Sequence, residues 1–123
     1  MSFHHAVRRV GDVVVLDLGG RLVFGQGAPH ILHELVAEQI AQGAKNILVN
    51  LRGVNYVDTG GLGAMVRVLA TVTKHGGNLR FCEAQGTALE VLEMTRLDTV
   101  LKAAEAEAET IAAFSPKRKA SVA

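Results

Sequence analysis

The chain has 123 residues, of which 49% are hydrophobic and 20% charged, a composition typical of one globular domain and not of a disordered chain. Thirteen basic residues against twelve acidic ones give a net charge of +1. Three of the bases, Lys117, Arg118 and Lys119, lie near the C-terminus, so the rest of the chain is mildly acidic, which argues against a nucleic-acid-binding core. The chain has neither a signal peptide nor an apolar segment of the roughly 18 residues that a membrane helix needs, so we expect a cytoplasmic protein without membrane insertion.

The N-terminal third predicts a β-hairpin followed by a helix. Residues 3–10 form a weak strand, Gly11-Asp12 a turn, and the β-branched run at 13–16 a strong strand that we expect to end at Gly19-Gly20. Leu32, Leu35, Val36 and Ile40 then recur at helical spacing, between Pro29 near the start of the helix and Gly43 just after its end.

The remaining elements alternate strand and helix. The pattern predicts a buried strand at 47–51, a helix from Leu62 to Lys74, a strand at 79–82, a helix at 88–94, a weak strand at 99–101 and a helix at 105–114. In the 88–94 helix we expect Leu89 and Leu92 to face the core, with Met94 as a further candidate. Short glycine-containing loops between strands and helices favour βαβ crossovers.

We therefore predict an α/β fold, with a single small domain over residues 1–114. Its sheet is mixed but mostly parallel, with four to five strands and an N-terminal hairpin. A disordered basic tail is expected over residues 115–123.

The most informative segment joins the buried strand to the helix and includes Asp58-Thr59-Gly60-Gly61. The local chemistry alone is explained by a capped, glycine-rich turn, in which Asp58 or Thr59 accepts from the free N–H groups of the helix. Asp-Thr-Gly is also the tripeptide of dimeric aspartic proteases, but those enzymes are nearly all β, and a clear helix follows here. A phosphate cradle is weakly supported, because no complete nucleotide-binding motif is present.

Other reactive side chains give little sign of chemistry. His30 and His33 are spaced closely enough to share a metal, but no further ligands stand at a readable spacing, and we place Glu34 elsewhere around the helix. We expect surface histidines, no metal and no cofactor. Cys82 is expected to be a small core residue rather than a reactive thiol. No nucleophile, base and orienting partner form a pattern, so we do not expect an enzyme.

In their order and spacing, several segments resemble the STAS domain of bacterial anti-sigma factor antagonists. The resemblance runs from Val13 to about Leu101. It is carried by residues 15–22 (VLDLGGRL), 47–54 (ILVNLRGV), 57–63 (VDTGGLG), 76–79 (GGNL) and 92–97 (LEMTRL).

The resemblance implies a regulatory binding protein that acts on transcription by partner switching. Such domains bind an anti-sigma factor, often a serine kinase of the histidine-kinase-like type, and thereby free the sigma factor. The kinase phosphorylates the second serine of the family's Asp-Ser-Ser-Gly-Leu-Gly loop and so ends binding, and a phosphatase restores it. A monomer or weak dimer is expected.

The sequence departs from this pattern at the phosphorylated position, which is Gly60 and has no hydroxyl group. Thr59 corresponds to the preceding serine. In stressosome members of the family the phosphorylated residue directly follows the aspartate, so Thr59 is the phosphorylation candidate. If Thr59 is not used, the protein is a binder that phosphorylation does not control. Gly60 in place of the serine also motivates an alternative, an unphosphorylated STAS subunit of a lipid-transport or stressosome-like sensory complex.

The helix after the loop is the second part of the expected docking surface. We predict that Leu62, Met65, Val66 and Leu69 face inward and that Gly63, Arg67, Ala70, Thr71 and Lys74 face outward. An ordinary solvated helix face explains the same pattern. The predicted partner-binding residues are Asp58, Thr59, Gly60, Gly61, Gly63, Arg67, Thr71 and Lys74.

Overall fold

A computed structural model describes residues 3–114, and the predicted basic tail lies outside the described residues. The elements in chain order are β1 His4–Val10, β2 Val13–Leu22, α1 Ala28–Ala41, β3 Asn46–Val57, α2 Thr59–Lys74, β4 Asn78–Cys82, α3 Gly86–Met94, α4 Asp98–Leu101 and α5 Glu107–Ala113. A short 3₁₀ turn, Phe24–Gln26, lies between β2 and α1.

The strands form one four-stranded sheet in the order β1-β2-β3-β4. The hairpin strands β1 and β2 are antiparallel, whereas β2 with β3 and β3 with β4 are parallel. The predicted α/β fold, with a mostly parallel sheet and an N-terminal hairpin, is confirmed.

Side chains alternate between two cores, one on each face of the sheet. Val14 and Leu16 of β2 contribute to the larger core, which also takes in residues of α1, α2 and α3. Val13 and Val15 point to the other face and pack with Leu48, Cys82 and Phe114, beside Ile111 of α5. Because both faces are covered here, the central strands are continuous apolar runs.

The second strand does not end at Gly19-Gly20 as predicted. It continues to Leu22, and the pairing with β3 shifts register between Asp17 and Gly19 and again between Gly20 and Arg21. The glycines therefore mark irregularities inside the ladder, where Gly20 adopts a positive φ of 86°. Parallel pairing resumes beyond them and extends to Leu22 opposite Val57.

Two predictions in the C-terminal part are wrong. Residues 99–101, expected as a strand, belong to α4, in which the Leu101 N–H donates to the Leu97 carbonyl oxygen at 2.8 Å. Only the last of these three residues is buried, so one helical turn is enough to bring Leu101 to the core. Met94 is 80% exposed at the C-terminal end of α3, not inward.

Within residues 3–114, no helix has the length and apolarity needed to cross a membrane.

A candidate partner-binding surface at the start of α2

The carboxylate of Asp58 joins two segments that are far apart in the sequence. Its Oδ1 accepts from the Gly61 N–H at 2.8 Å, so Asp58, one of the two predicted candidates, is the N-cap of α2. The same carboxylate accepts from the Phe24 N–H, at 3.1 Å to Oδ2 and 3.3 Å to Oδ1. The Asp58 N–H in turn donates to the Leu22 carbonyl oxygen at 3.4 Å. Asp58 thus holds the turn after β2 against the start of α2.

Gly60 and Gly61 are required by close approach of this turn. A β-carbon on Gly61 would lie well under 3.0 Å from the Leu22 carbonyl oxygen, a contact that a real β-carbon does not make. A β-carbon on Gly60 would lie 2.6 Å from the β-carbon of Phe24. Gly63 has open space around it, so it is under no such restriction. The turn after β2 therefore occupies the space that a side chain at position 60 needs.

Thr59, the phosphorylation candidate, is the first residue of α2, and its side chain is exposed. It lies directly after Asp58, which is half-buried. An exposed threonine therefore lies next to a carboxylate at the positive end of a helix.

The outward face of α2 differs from the prediction at one position. Val66, expected inward, is 43% exposed, and Val68 is buried in its place. The buried row follows Leu62, Met65, Val68 and Val72, because steps of three and four residues stay on one face of a helix. Leu69 is half-buried.

The other α2 residues of the predicted docking set are accessible to different degrees. Arg67 and Lys74 are exposed, whereas Gly63 and Thr71 are half-buried. The Thr71 hydroxyl donates to the Arg67 carbonyl oxygen at 3.0 Å, so this hydroxyl already has a partner within the helix. The accessible charge on this face comes from the two cations.

A groove of about 310 Å³ lies between α1 and α2 beside this turn, lined by Phe24, Pro29, His30, His33 and Arg67. The Phe24 side chain is 74% exposed although it is aromatic. Within the part of the chain that the structure describes, the Arg67 guanidinium has no ion-pair partner. The groove thus combines an exposed ring with an unneutralised cation.

The histidines of α1 do not form part of a cluster of metal ligands. The prediction that Glu34 lies elsewhere around the helix is wrong, because Glu34 Oε2 is 3.1 Å from His30 Nε2, one helical turn away. Even so, no three His, Cys, Asp or Glu side chains among residues 3–114 are grouped so that they could hold a metal.

A second concentration of charge lies on the sheet face covered by α5. Arg8 bonds both Asp17 and Glu107, and Asn50 Nδ2 donates to Glu107 at 2.8 Å. The hydrogen bonds from Arg8 and Asn50 lower the pKa of Glu107 against an opposing effect of burial. A hollow of about 500 Å³ lies here, but these charged side chains already pair with one another.

Sequence reasoning identified Asp58 and the glycines but missed Phe24. Phe24 contributes to no periodic pattern, and its β-carbon approaches Gly60 because β2 and β3 both continue past their apolar segments. The available signal was an aromatic residue in a glycine-rich turn, Phe24-Gly25-Gln26-Gly27, in a chain with four phenylalanines and one tyrosine.

Together, the fold and this surface define a small α/β domain whose accessible features are a capped glycine turn and a helix face. A family model for the STAS domain matches residues 4–110. The chain belongs to the STAS domain family. No curated protein sequence matches that of the chain.

Solved structures of similar fold include anti-sigma factor antagonists. A Thermotoga maritima protein described as a candidate anti-sigma factor antagonist has a TM-score of 0.78 and 23% identity, covering 89% of this chain and 93% of that one. An anti-sigma factor antagonist from Mycobacterium paratuberculosis has a TM-score of 0.77 and 18% identity, covering 92% and 94%. The Bacillus cell fate determinant SpoIIAA in its phosphorylated form has a TM-score of 0.63 and 20% identity, covering 88% and 96%. At these identities the likeness shows the fold. The protease interpretation of Asp58 requires a nearly all-β protein and does not agree with it.

Proposed function

We propose that this STAS domain acts as an anti-sigma factor antagonist. It docks an anti-sigma factor of the serine-kinase type through the loop Asp58–Gly63 and the outward face of α2. The observation that carries the proposal is the turn itself: Asp58 fixes the backbone of two segments and leaves Thr59 exposed in front of an accessible helix face. A surface fixed before binding loses little conformational entropy when a partner docks.

Support for a partner-switching role comes from the family and from the position of Thr59. A phosphate on Thr59 would add about −1.5 to −2 charges next to the Asp58 carboxylate. The N-terminus of α2 would stabilise that charge within the free domain. Across an interface, however, the new charge would repel a partner surface that is complementary to the unmodified loop. Phosphorylation of Thr59 thus produces a stable form that does not bind.

The packing of the turn supports modification at Thr59 rather than at position 60. Gly60 has no hydroxyl, and the backbone and β-carbon of Phe24 fill the space of a side chain there. Thr59 is one residue earlier and has no such obstruction, because its side chain points into solvent. Binding followed by modification at Thr59 is therefore compatible with the packing of the loop.

The experiment is a titration of the purified chain against each kinase-type anti-sigma factor encoded in the source genome, by calorimetry. We expect one of them to bind the wild type, and Thr59→Glu to weaken that binding at least about tenfold through added negative charge. Thr87→Glu is the matched control, because Thr87 is also an exposed threonine in the first turn of a helix, α3. Binding of the control should stay within about twofold of the wild type.

Incubation of the bound pair with ATP tests the modification. We expect phosphate on Thr59 by mass spectrometry, none in Thr59→Ala, and unchanged labelling in Thr87→Ala. Label retained in Thr59→Ala would contradict the assignment. A wild-type chain that binds no kinase-type anti-sigma factor but co-purifies with transporter or sensory-complex subunits would replace this function with the subunit role.

A further inference from the structure

The turn after β2 contributes the ring of Phe24 to the surface that surrounds Thr59. The side chain is 74% exposed, yet its backbone N–H is fixed by the Asp58 carboxylate and its β-carbon lies over Gly60. The backbone that carries this large apolar side chain is therefore held in place, although the side chain itself is exposed. Aromatic side chains, Phe included, are enriched in the buried centre of protein interfaces, and a few buried residues there carry most of the binding energy.

We propose that Phe24 is the apolar anchor of the docking surface and that it inserts into an apolar pocket of the anti-sigma factor. The proposal rests on the proposed function and specifies the chemistry of that partner. Position 60 and position 24 share one volume, because a β-carbon on Gly60 would lie 2.6 Å from that of Phe24. In this chain the space of the family's second serine is thus used by the turn that presents an aromatic ring.

The charge beside the Phe24 ring indicates which charge the edge of the partner's pocket should carry. Arg67 lines the same groove as Phe24, is exposed, and has no ion-pair partner among residues 3–114. His33 lies on the same groove, whereas His30 faces Glu34. An apolar pocket with a carboxylate at its edge complements this arrangement, since the carboxylate can pair with the Arg67 guanidinium when the ring inserts.

The test removes two exposed apolar side chains in turn and measures the affinity of each variant for the same anti-sigma factor, by the calorimetric titration described above. Phe24→Ala should weaken binding at least about tenfold, because an anchor loses its buried contact area. Met94→Ala is the matched control, since Met94 is 80% exposed at the end of α3, and its binding should stay within about twofold of the wild type. Arg67→Glu should weaken binding at least about tenfold, whereas Arg9→Glu, an exposed cation on β1, should not.

The outcomes separate the anchor from the proposed function itself. If the wild type binds a kinase-type anti-sigma factor and Phe24→Ala binds equally well, the anchor is wrong and the proposed function stands. If the wild type binds none of them, both fail. Sedimentation of the wild type and Phe24→Ala at equal concentrations tests whether the ring binds a second copy of this chain instead. A wild-type dimer that Phe24→Ala abolishes would assign the ring to that dimer and overturn the proposal. Since the ring is exposed, thermal unfolding of Phe24→Ala should match that of the wild type.

Discussion

The two faces of the sheet satisfy their carboxylates in different ways. On the side of α1 and α2, the hydrogen bonds that Asp58 accepts within the described part of the chain come from the backbone N–H groups of Phe24 and Gly61. On the side of α5, Glu107 accepts from side chains, the guanidinium of Arg8 and the amide of Asn50, and its own N–H donates to Glu83 at 2.7 Å. Asp58 therefore fixes the backbone around it, whereas Glu107 fixes neighbouring side chains.

This difference has a consequence for function. At Asp58 the hydrogen bonds go to backbone N–H groups, and the neighbouring side chains of Phe24, Thr59 and Arg67 are exposed. Around Glu107 the charges neutralise one another and hold α5 over the apolar side chains beneath it. The first face therefore leaves side chains exposed around a fixed backbone, whereas the second uses its charged side chains to hold α5.

The largest expected effect comes from Gly61→Ala, which tests whether the turn depends on close backbone approach. The added β-carbon would overlap the Leu22 carbonyl oxygen, so β2 and α2 must separate. We expect the free energy of unfolding to fall by about 3 kcal/mol or more. Urea denaturation measures it.

Gly63→Ala is the matched control within the same helix. Position 63 has open space, so alanine should leave stability unchanged or raise it by about 0.5–1 kcal/mol through its better helix propensity. An equal loss in both variants would show that close approach at Gly61 is not what matters.

Asp58→Ala tests the backbone tie next. It removes the N-cap of α2 and the acceptor of the Phe24 N–H, at an expected cost of about 1–2 kcal/mol. Asp58→Asn should lose less, because an asparagine oxygen also caps a helix. Amide exchange at Phe24, followed by NMR, should accelerate in Asp58→Ala. Unchanged exchange at that amide would mean that the carboxylate does not hold the turn.

Hydrophobic pattern was sufficient to predict the two central strands, since Val13–Leu16 is a buried apolar run and Ile47–Leu51 is a buried run that is apolar except for Asn50. The cap at Asp58 was predictable because capping is local in sequence. The contact between Phe24 and Asp58 was not, because the two residues are 34 positions apart and meet only through the register of β2 and β3. Residues 99–101 misled because β-branched residues favour strands while tertiary packing selects a helical turn.

Glu107→Gln tests the opposite face and should have a smaller effect. The partners of Glu107 lower its pKa in the folded state, so its stabilising contribution is complete above the ordinary value of 4.5 and is lost as the pH falls through the lower folded value. The wild type should therefore lose stability below about pH 4.5, and Glu107→Gln should show a shallower loss. At neutral pH the variant should cost about 1 kcal/mol, since the pair is partly exposed.

The control for this titration is Glu109→Gln, an exposed glutamate on the same helix. Its stability curve should follow that of the wild type. Urea denaturation from pH 3 to pH 7 gives the free energy of unfolding of all three proteins. Parallel curves for the wild type and Glu107→Gln would show that the hydrogen bonds of Glu107 do not cause the loss of stability in acid.

The smallest expected effect is on the reactivity of the Cys82 thiol, which reports on the face covered by α5. The thiol is fully buried beside Ile111 and Phe114, and burial raises its pKa to about 12. An aromatic disulfide reagent at pH 8 should label it only when α5 opens, so labelling should be slow in the native protein and rapid in urea. Glu107→Gln should accelerate native labelling, and Asp58→Asn should not, because the two carboxylates hold different faces of the sheet. Equal acceleration in both variants would show instead that the two regions open together.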